Sequence, residues 1–250
     1  MGCKWVFMVK RKADGSIGRF KARLADKVFT QTYGIDYQET STPVAKMNSI
    51  WVLLSLAANL EWPLQQLDVK SAFLHGDLEE EAYMNPPPGF ENTFERGRVC
   101  KLKKSLYELK QSPRAWFDRF ARFILKCGHQ QSHSDHMMFL KHGKEDKLAI
   151  LIVYVNDIIL IGNDRDEIED LRVGVVSQFM HSPNVEHMEV VFRILKYLKT
   201  SPGKGILFSK NNHLWVEAYT DADWAGSFAD RKSASDYCTF VRGNLVTRKS

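Results

Sequence analysis

Leu148-Ala149-Ile150-Leu151-Ile152-Val153-Tyr154-Val155-Asn156-Asp157-Ile158-Ile159-Leu160-Ile161-Gly162 is an apolar run interrupted at its centre by one amide and one carboxylate. Residues 150–155 and 158–161 are rich in β-branched side chains. Asn-Asp tolerates the positive φ angles of a tight turn, so the pattern predicts a buried hairpin turning at Asn156-Asp157. Polar residues at such a place can also present oxygen ligands to a metal ion. On these residues alone both readings stay open. The run falls short of the roughly 18–20 residues that span a bilayer, and its polar pair sits at mid-run, which argues against a membrane span.

The chain around this run has an ordinary globular composition. Its 250 residues are 44% hydrophobic and 26% charged, enough for one substantial core or two small ones. The formal charge of +5 suits a polyanionic partner without requiring one. Cys3, Cys100, Cys127 and Cys238 show no zinc-ligand spacing and no disulfide framework, so reduced thiols are expected. Residues 1–12 interleave Lys4, Lys10 and Arg11 with apolar residues and lack the apolar core of a signal peptide. An intracellular location, cytoplasm or nucleus, is the expectation.

N-terminal to the run, residues 4–9 and 19–24 flank Ala13-Asp14-Gly15-Ser16, which predicts a β-hairpin carrying Lys10, Arg11, Lys12, Arg19, Lys21 and Arg23. Such a hairpin can grip phosphates, or its charges can simply solvate an edge. Residues 49–59 predict a helix apolar on most faces, stopped near Trp62-Pro63. Residues 64–69 predict a short strand ending at Asp68, a place for a metal ligand or for a helix cap. Pro86-Pro87-Pro88-Gly89 marks a loop. Ser112 followed by Pro113 predicts a helix start with Ser112 as N-cap, and Trp116, Phe117, Phe120, Phe123, Ile124 and Leu125 form a helical stripe, read as core rather than as a base-stacking platform. Beyond an acidic stretch at 164–170, a further helix is expected over 185–200 and strands over 214–250.

Several ordered motifs go beyond pattern. Trp5-Val6-Phe7, Lys21-Ala22-Arg23-Leu24, Gln65-Gln66-Leu67-Asp68-Val69-Lys70-Ser71-Ala72-Phe73-Leu74-His75-Gly76, Pro87-Pro88-Gly89-Phe90, Leu109-Lys110-Gln111-Ser112-Pro113-Arg114-Ala115-Trp116-Phe117 and Tyr154-Val155-Asn156-Asp157 together resemble the reverse transcriptase of copia-type LTR retrotransposons. Ser177-Gln178-Phe179-Met180-His181-Ser182-Pro183, Arg193-Ile194-Leu195-Lys196-Tyr197-Leu198-Lys199 and Tyr219-Thr220-Asp221-Ala222-Asp223-Trp224-Ala225-Gly226 resemble the family's connection region and the opening of its ribonuclease H domain. The resemblance implies an α+β chain: a fingers-palm fragment over 1–170, a connection remnant over 171–213, and the N-terminal part of a ribonuclease H-like sheet over 214–250. It implies RNA-directed DNA synthesis by two-metal nucleotidyl transfer on an RNA or DNA template-primer, with deoxynucleoside triphosphates as substrate and Mg2+, or Mn2+, as cofactor. Two such ions about 3.5–4 Å apart activate the primer 3′-hydroxyl and stabilise the leaving pyrophosphate. Asp68, Asn156 and Asp157 fall on the catalytic positions, with Asp68 and Asp157 as metal ligands. Phe73 falls on the gate against a ribose 2′-hydroxyl. Lys21, Arg23, Lys110 and Gln111 fall in the substrate-binding segments, and Asp221 on a ribonuclease H carboxylate. No membrane partner is implied, and oligomeric state is left open.

The departures from the family pattern matter as much. Asn156 stands where the family has an aspartate, and a neutral amide offers one carbonyl oxygen where an anionic bridging ligand is needed. Glu108 replaces a glycine in a segment where the backbone approaches the nucleotide. Near Leu171 the chain passes almost directly from palm to connection, without the long segment that carries the rest of the palm, the primer grip and the thumb. Of the ribonuclease H carboxylates only Asp221 is matched before Ser250, while Asp236 and Arg242 replace glycines and Arg248 a tryptophan. The expectation is a polymerase by descent, inactive as written and without ribonuclease activity. A non-catalytic nucleic-acid-binding remnant or an unselected fossil is the alternative, and an unrelated binding module would leave the motif order unexplained. A shortened palm is further expected to expose a sheet edge on which the C-terminal strands pair.

Overall fold

The computed structural model describes residues 1–12, 14–40, 44–93, 95, 97–179, 207–211, 213, 215–223 and 234–249. The helix expected over 185–200 lies outside them. In chain order the elements are β1 (Cys3–Arg11), β2 (Ile17–Asp26), α1 (Met47–Leu60), β3 (Leu64–Asp68), β4 (Tyr83–Met84), β5 (Cys100–Lys101), α2 (Ser112–Lys126), β6 (Gln130–Gln131), β7 (Met138–His142), β8 (Leu148–Tyr154), β9 (Asp157–Gly162), α3 (Arg165–Phe179), β10 (Val216–Asp223), β11 (Ala234–Val241) and β12 (Asn244–Lys249). Short 3-10 turns are interspersed. The class is α+β. Packing divides the chain into two units, each made of two stretches: 1–43 with 70–127, and 44–69 with 128–250. No described helix is long and apolar enough to cross a membrane.

In the first unit, β1 and β2 form the expected basic hairpin, in the register Trp5↔Leu24, Phe7↔Ala22 and Val9↔Phe20 on one face and Val6↔Arg23, Met8↔Lys21 and Lys10↔Arg19 on the other. Strand alternation thus separates an apolar face from a basic one. Phe7 and Phe20 are both about three-quarters exposed. The hairpin base is tied down where the Trp5 indole N–H donates to the Pro88 carbonyl at 3.0 Å and the Asp26 N–H to the Tyr107 carbonyl at 2.9 Å. Helix α2 buries Trp116, Phe120 and Ile124 almost completely, so the aromatic stripe is core. Ser112 is not its N-cap: Gln111 holds that position without a side-chain cap, and the Ser112 hydroxyl donates to the Leu106 carbonyl at 2.6 Å. With Pro113 within the first two helical positions, one amide that a cap would satisfy is already missing.

Asp26 in this unit is an unusual carboxylate. It is 0% exposed, neither oxygen has a hydrogen-bond partner, and the adjacent Lys27 N–H is committed to the Gly2 carbonyl at 2.8 Å. Burial pushes its pKa above the ordinary 3.8. Folding therefore favours the protonated form relative to the unfolded chain. The stability that protonation contributes is fully present below the ordinary value and is lost as pH rises through the raised folded value. Asp26→Asn keeps the shape and removes the charge, so urea melts are expected to show the variant gaining on the parent from pH 4 to pH 7. Parallel curves across that range would show that the carboxylate is solvated.

The second unit is organised by an antiparallel sheet in the order β3-β9-β8-β7-β6. Residues 149–153 and 158–162 are buried without alternation. Neighbouring strands flank β8 and β9 on both edges, and α1 and α3 pack on the sheet, which is why this hairpin reads as a continuous apolar run. Helix α3, which the acidic stretch gave no reason to expect, buries Ile168, Leu171, Val175 and Phe179. Its stripe is only one residue wide at each turn.

Strands β10, β11 and β12 form their own three-stranded sheet, so the expectation that the C-terminal strands pair on the palm edge is not met. They pack instead on α1, through polar residues that the apolar reading of that helix overlooked. Ser55, fully buried, donates to the Val241 carbonyl at 2.8 Å and accepts from Asn244 at 3.1 Å. Asn59 accepts from the Asn211 N–H at 2.8 Å. These hydrogen bonds satisfy groups whose burial would otherwise cost stability. The β11–β12 turn, Arg242-Gly243, has positive φ at both residues (51° and 73°), the type I′ pattern in which glycine is favoured. Arg242 therefore occupies left-handed backbone.

Candidate nucleotidyl-transfer site

The hairpin β8–β9 turns one residue earlier than expected. Tyr154 pairs with Asp157, so the turn residues are Val155 and Asn156, and Asp157 opens β9. Val155 takes φ 60°, a conformation costing a β-branched residue about 1–2 kcal/mol. The packing of Ile150 against Ile161 and Ile152 against Ile159 holds that register. It sets Asp157 directly opposite Asp68 at the end of β3. Asn156, in the turn, accepts the Val69 N–H on its backbone carbonyl at 2.9 Å.

Asp68, Asn156 and Asp157 are thus brought together, all half-buried. The Asn156 amide donates to Asp68 Oδ1 at 2.7 Å, and the Gln66 amide donates to Asp157 Oδ1 at 3.1 Å. Gln66 shares a strand face with Asp68 two residues away, which was the available hint to a residue the sequence reading passed over. The donor set fits a pair of divalent cations poorly. Two carboxylates are present, and the third position turns an N–H, not an oxygen, toward Asp68. The opposite amide orientation would set two acceptors against each other. Among the described residues no group of three or more His, Cys, Asp or Glu side chains could hold a metal ion.

The substrate-binding candidates all lie in the first unit, and most have structural work there. Arg23 stacks its guanidinium over the Tyr107 ring at 5.0 Å, and Phe73 meets the same ring edge-on at 6.4 Å. Tyr107 therefore joins two of the candidates. Lys110 donates to the Tyr37 hydroxyl at 2.9 Å. Gln111 is buried, donating to the Asp36 carbonyl and accepting from Gln31, each at 3.0 Å. Lys21 stands on the basic hairpin face opposite Met8. Asp221 lies in β10 in register with Asp236.

Glu108 has φ 67°, so the position where the resemblance expects glycine is left-handed in this chain. Its side chain bridges to Lys4 at 2.8 Å in a solvent-exposed pair worth about 0.5 kcal/mol. Glu108→Gly relieves about 1 kcal/mol of backbone strain. A small net rise in urea midpoint is expected, and a fall would mean that the ion pair outweighs the strain.

The profile of a family described as "Reverse transcriptase (RNA-dependent DNA polymerase)" matches residues 1–192. The chain belongs to the reverse transcriptase family. It is 33% identical to the retrovirus-related Pol polyprotein from transposon RE1 of Arabidopsis thaliana, an alignment covering 100% of this chain and 24% of that protein. With the Pol polyprotein from transposon TNT 1-94 of Nicotiana tabacum it shares 31% identity, covering 99% of the chain and 27% of the relative. The Ty1-H Gag-Pol polyprotein of Saccharomyces cerevisiae is 32% identical over 64% of the chain and 8% of its own length. These relatives bear out the resemblance to copia-type retrotransposon Pol. The chain spans about a quarter of the length of the two plant polyproteins. Its alignment with the RE1 protein runs over 348 positions, although the chain has 250 residues, so the relative holds about a hundred residues without a counterpart here. No solved structure matches.

Proposed function

We propose that this reverse transcriptase is an RNA-directed DNA polymerase by descent whose two-metal nucleotidyl transfer is silent. One observation carries the reading: at the position where the chemistry needs an anionic oxygen, Asn156 points a hydrogen-bond donor at Asp68, at 2.7 Å. Magnesium, when bound in this family's site, supplies the charge that activates the primer hydroxyl and stabilises pyrophosphate. This donor set leaves that charge without enough anionic ligands. The residues unmatched in the RE1 alignment are consistent with a missing stretch near Leu171, where the resemblance expects the rest of the palm and the thumb. Asp221 opposite Asp236 is read as the remnant of a ribonuclease H sheet, without hydrolytic function.

Template-primer binding is the part of the function that the geometry still supports. Lys10, Arg19, Lys21 and Arg23 share one hairpin face, with Lys10 directly opposite Arg19. Like charges so placed repel, and phosphates relieve the repulsion.

The tests separate the two halves of the proposal. Primer extension on an RNA template with Mg2+ or Mn2+ is expected to give no incorporation above background. Asn156→Asp alone is expected not to restore it, because the clamp remains missing. Incorporation by the parent chain would defeat the reading. Binding to a primer-template duplex is expected to weaken about tenfold or more between 50 and 200 mM salt. No binding at the lower salt would remove the binding half and leave an unselected fossil.

A further inference from the structure

We infer that two side-chain amides, from Gln66 and Asn156, take the place of a divalent cation between Asp68 and Asp157, so that this end of the sheet is closed by hydrogen bonds and is indifferent to Mg2+ and Mn2+. The inference rests on the reading of Asn156 given above and carries it from catalysis to folding.

Asp68 and Asp157 are direct register partners on antiparallel β3 and β9, so their side chains leave the same face of the sheet at neighbouring points. Two carboxylates in that relation destabilise a strand pair unless something positive or donating stands between or beside them. Each carboxylate has its own donor here: Asn156 Nδ2 on Asp68 Oδ1 at 2.7 Å, and Gln66 Nε2 on Asp157 Oδ1 at 3.1 Å. Hydrogen bonds to ionised acceptors are about twice as strong as neutral ones, and partial burial strengthens them further. The two donors come from different places, one from the strand that carries Asp68 and one from the turn that precedes Asp157. The lock is therefore cross-braced: each carboxylate is held by an amide from the other's chain segment. A cation entering this site would have to displace the Asn156 N–H from Asp68 and accept a neutral oxygen in return, which lowers its affinity. An aspartate at 156 reverses the balance. It would place a third carboxylate against Asp68 with no donor, a cluster that only a cation could stabilise.

The experiment is thermal melting of the full chain and of Asn156→Asp, in NaCl and in MgCl2 or MnCl2 of equal ionic strength, together with Mn2+ binding followed by electron paramagnetic resonance. The parent is expected to melt at the same temperature in all three salts and to show no saturable Mn2+ binding. Asn156→Asp is expected to melt about 5 °C lower without divalent cation and to recover most of that loss, saturably, with Mn2+. If Asn156→Asp does not fold under any condition, Asn156→Ala carries the test, with a lowered midpoint that no divalent cation restores. Saturable Mn2+ binding by the parent that is lost in Asp68→Asn would overturn the inference. So would an unchanged midpoint in Asn156→Asp or in Asn156→Ala. None of these readouts depends on DNA synthesis, so failure of the lock and failure of the silent-polymerase reading are told apart by melting and by primer extension respectively.

Discussion

Gly162→Ala is expected to destabilise the second unit by about 3 kcal/mol or more, measured as a fall in the urea midpoint. A Cβ at this residue, where φ is 155°, would lie 2.0 Å from the Leu148 carbonyl oxygen and 3.0 Å from its carbon. Both are backbone atoms, and neither has room to retreat. The Leu148 carbonyl accepts the Asn163 N–H at 3.1 Å and the Asp164 N–H at 3.3 Å, while the Leu148 N–H donates to the Asn163 side chain at 2.6 Å. Gly162 also pairs with Ala149 at the far end of the β8–β9 ladder. Relief by local movement would therefore unpair the hairpin that holds Asn156 and Asp157. A midpoint within experimental error of the parent would mean that the ladder end frays freely and that this clamp is not part of the stable sheet.

Leu160→Ala is expected to cost about 3 kcal/mol, from lost apolar burial plus the cavity left behind. Leu160 is 0% exposed on β9 and lies between Leu151 of β8 and Gln65 of β3 in the register. Strands close it in from both edges, so its neighbours have little freedom to collapse into the space. The denaturant slope should stay the same while the midpoint falls, because the same surface is exposed on unfolding. A loss below about 1 kcal/mol would mean that the site collapses readily and that β9 is not the centre of the core.

Two of the three positions where the resemblance leads one to expect glycine are left-handed, while the third, Asp236, is extended within β11. Glu108 at φ 67° and Arg242 at φ 51° are both left-handed positions. Each replacement thus carries the backbone cost of a side chain in left-handed conformation. Asn156 differs in kind. It leaves the turn intact and sets a donor rather than a charge against Asp68, the exchange on which the proposed lock rests.

Much of the architecture was legible in the residues. The basic hairpin, the helix after Ser49, the strand ending at Asp68, the aromatic core helix and the apolar β8–β9 hairpin follow from period, turn chemistry and burial pattern, which are local properties. Motif order, also local, pointed to the family and to Asp68, Asn156 and Asp157. Helix α3 was hidden because its apolar stripe is thin among charges, and Ser55 and Asn59 were hidden because a polar residue does not announce a buried partner.

By itself the sequence determined the hairpin β1–β2, the strand β3 with a carboxylate at its end and the hairpin β8–β9, and that an amide stands beside the second carboxylate of the box, while β6 and β7 of the same sheet were not read from it. Only the tertiary structure decided that the turn is Val155-Asn156, that Asp68 faces Asp157, that Gln66 and Asn156 each cap one of them, and that β10–β12 settle on α1 rather than on the palm edge. Register and partner choice depend on contacts between residues 88 to 189 positions apart. No local pattern encodes such pairs, because they are set by how whole faces pack once the strands meet.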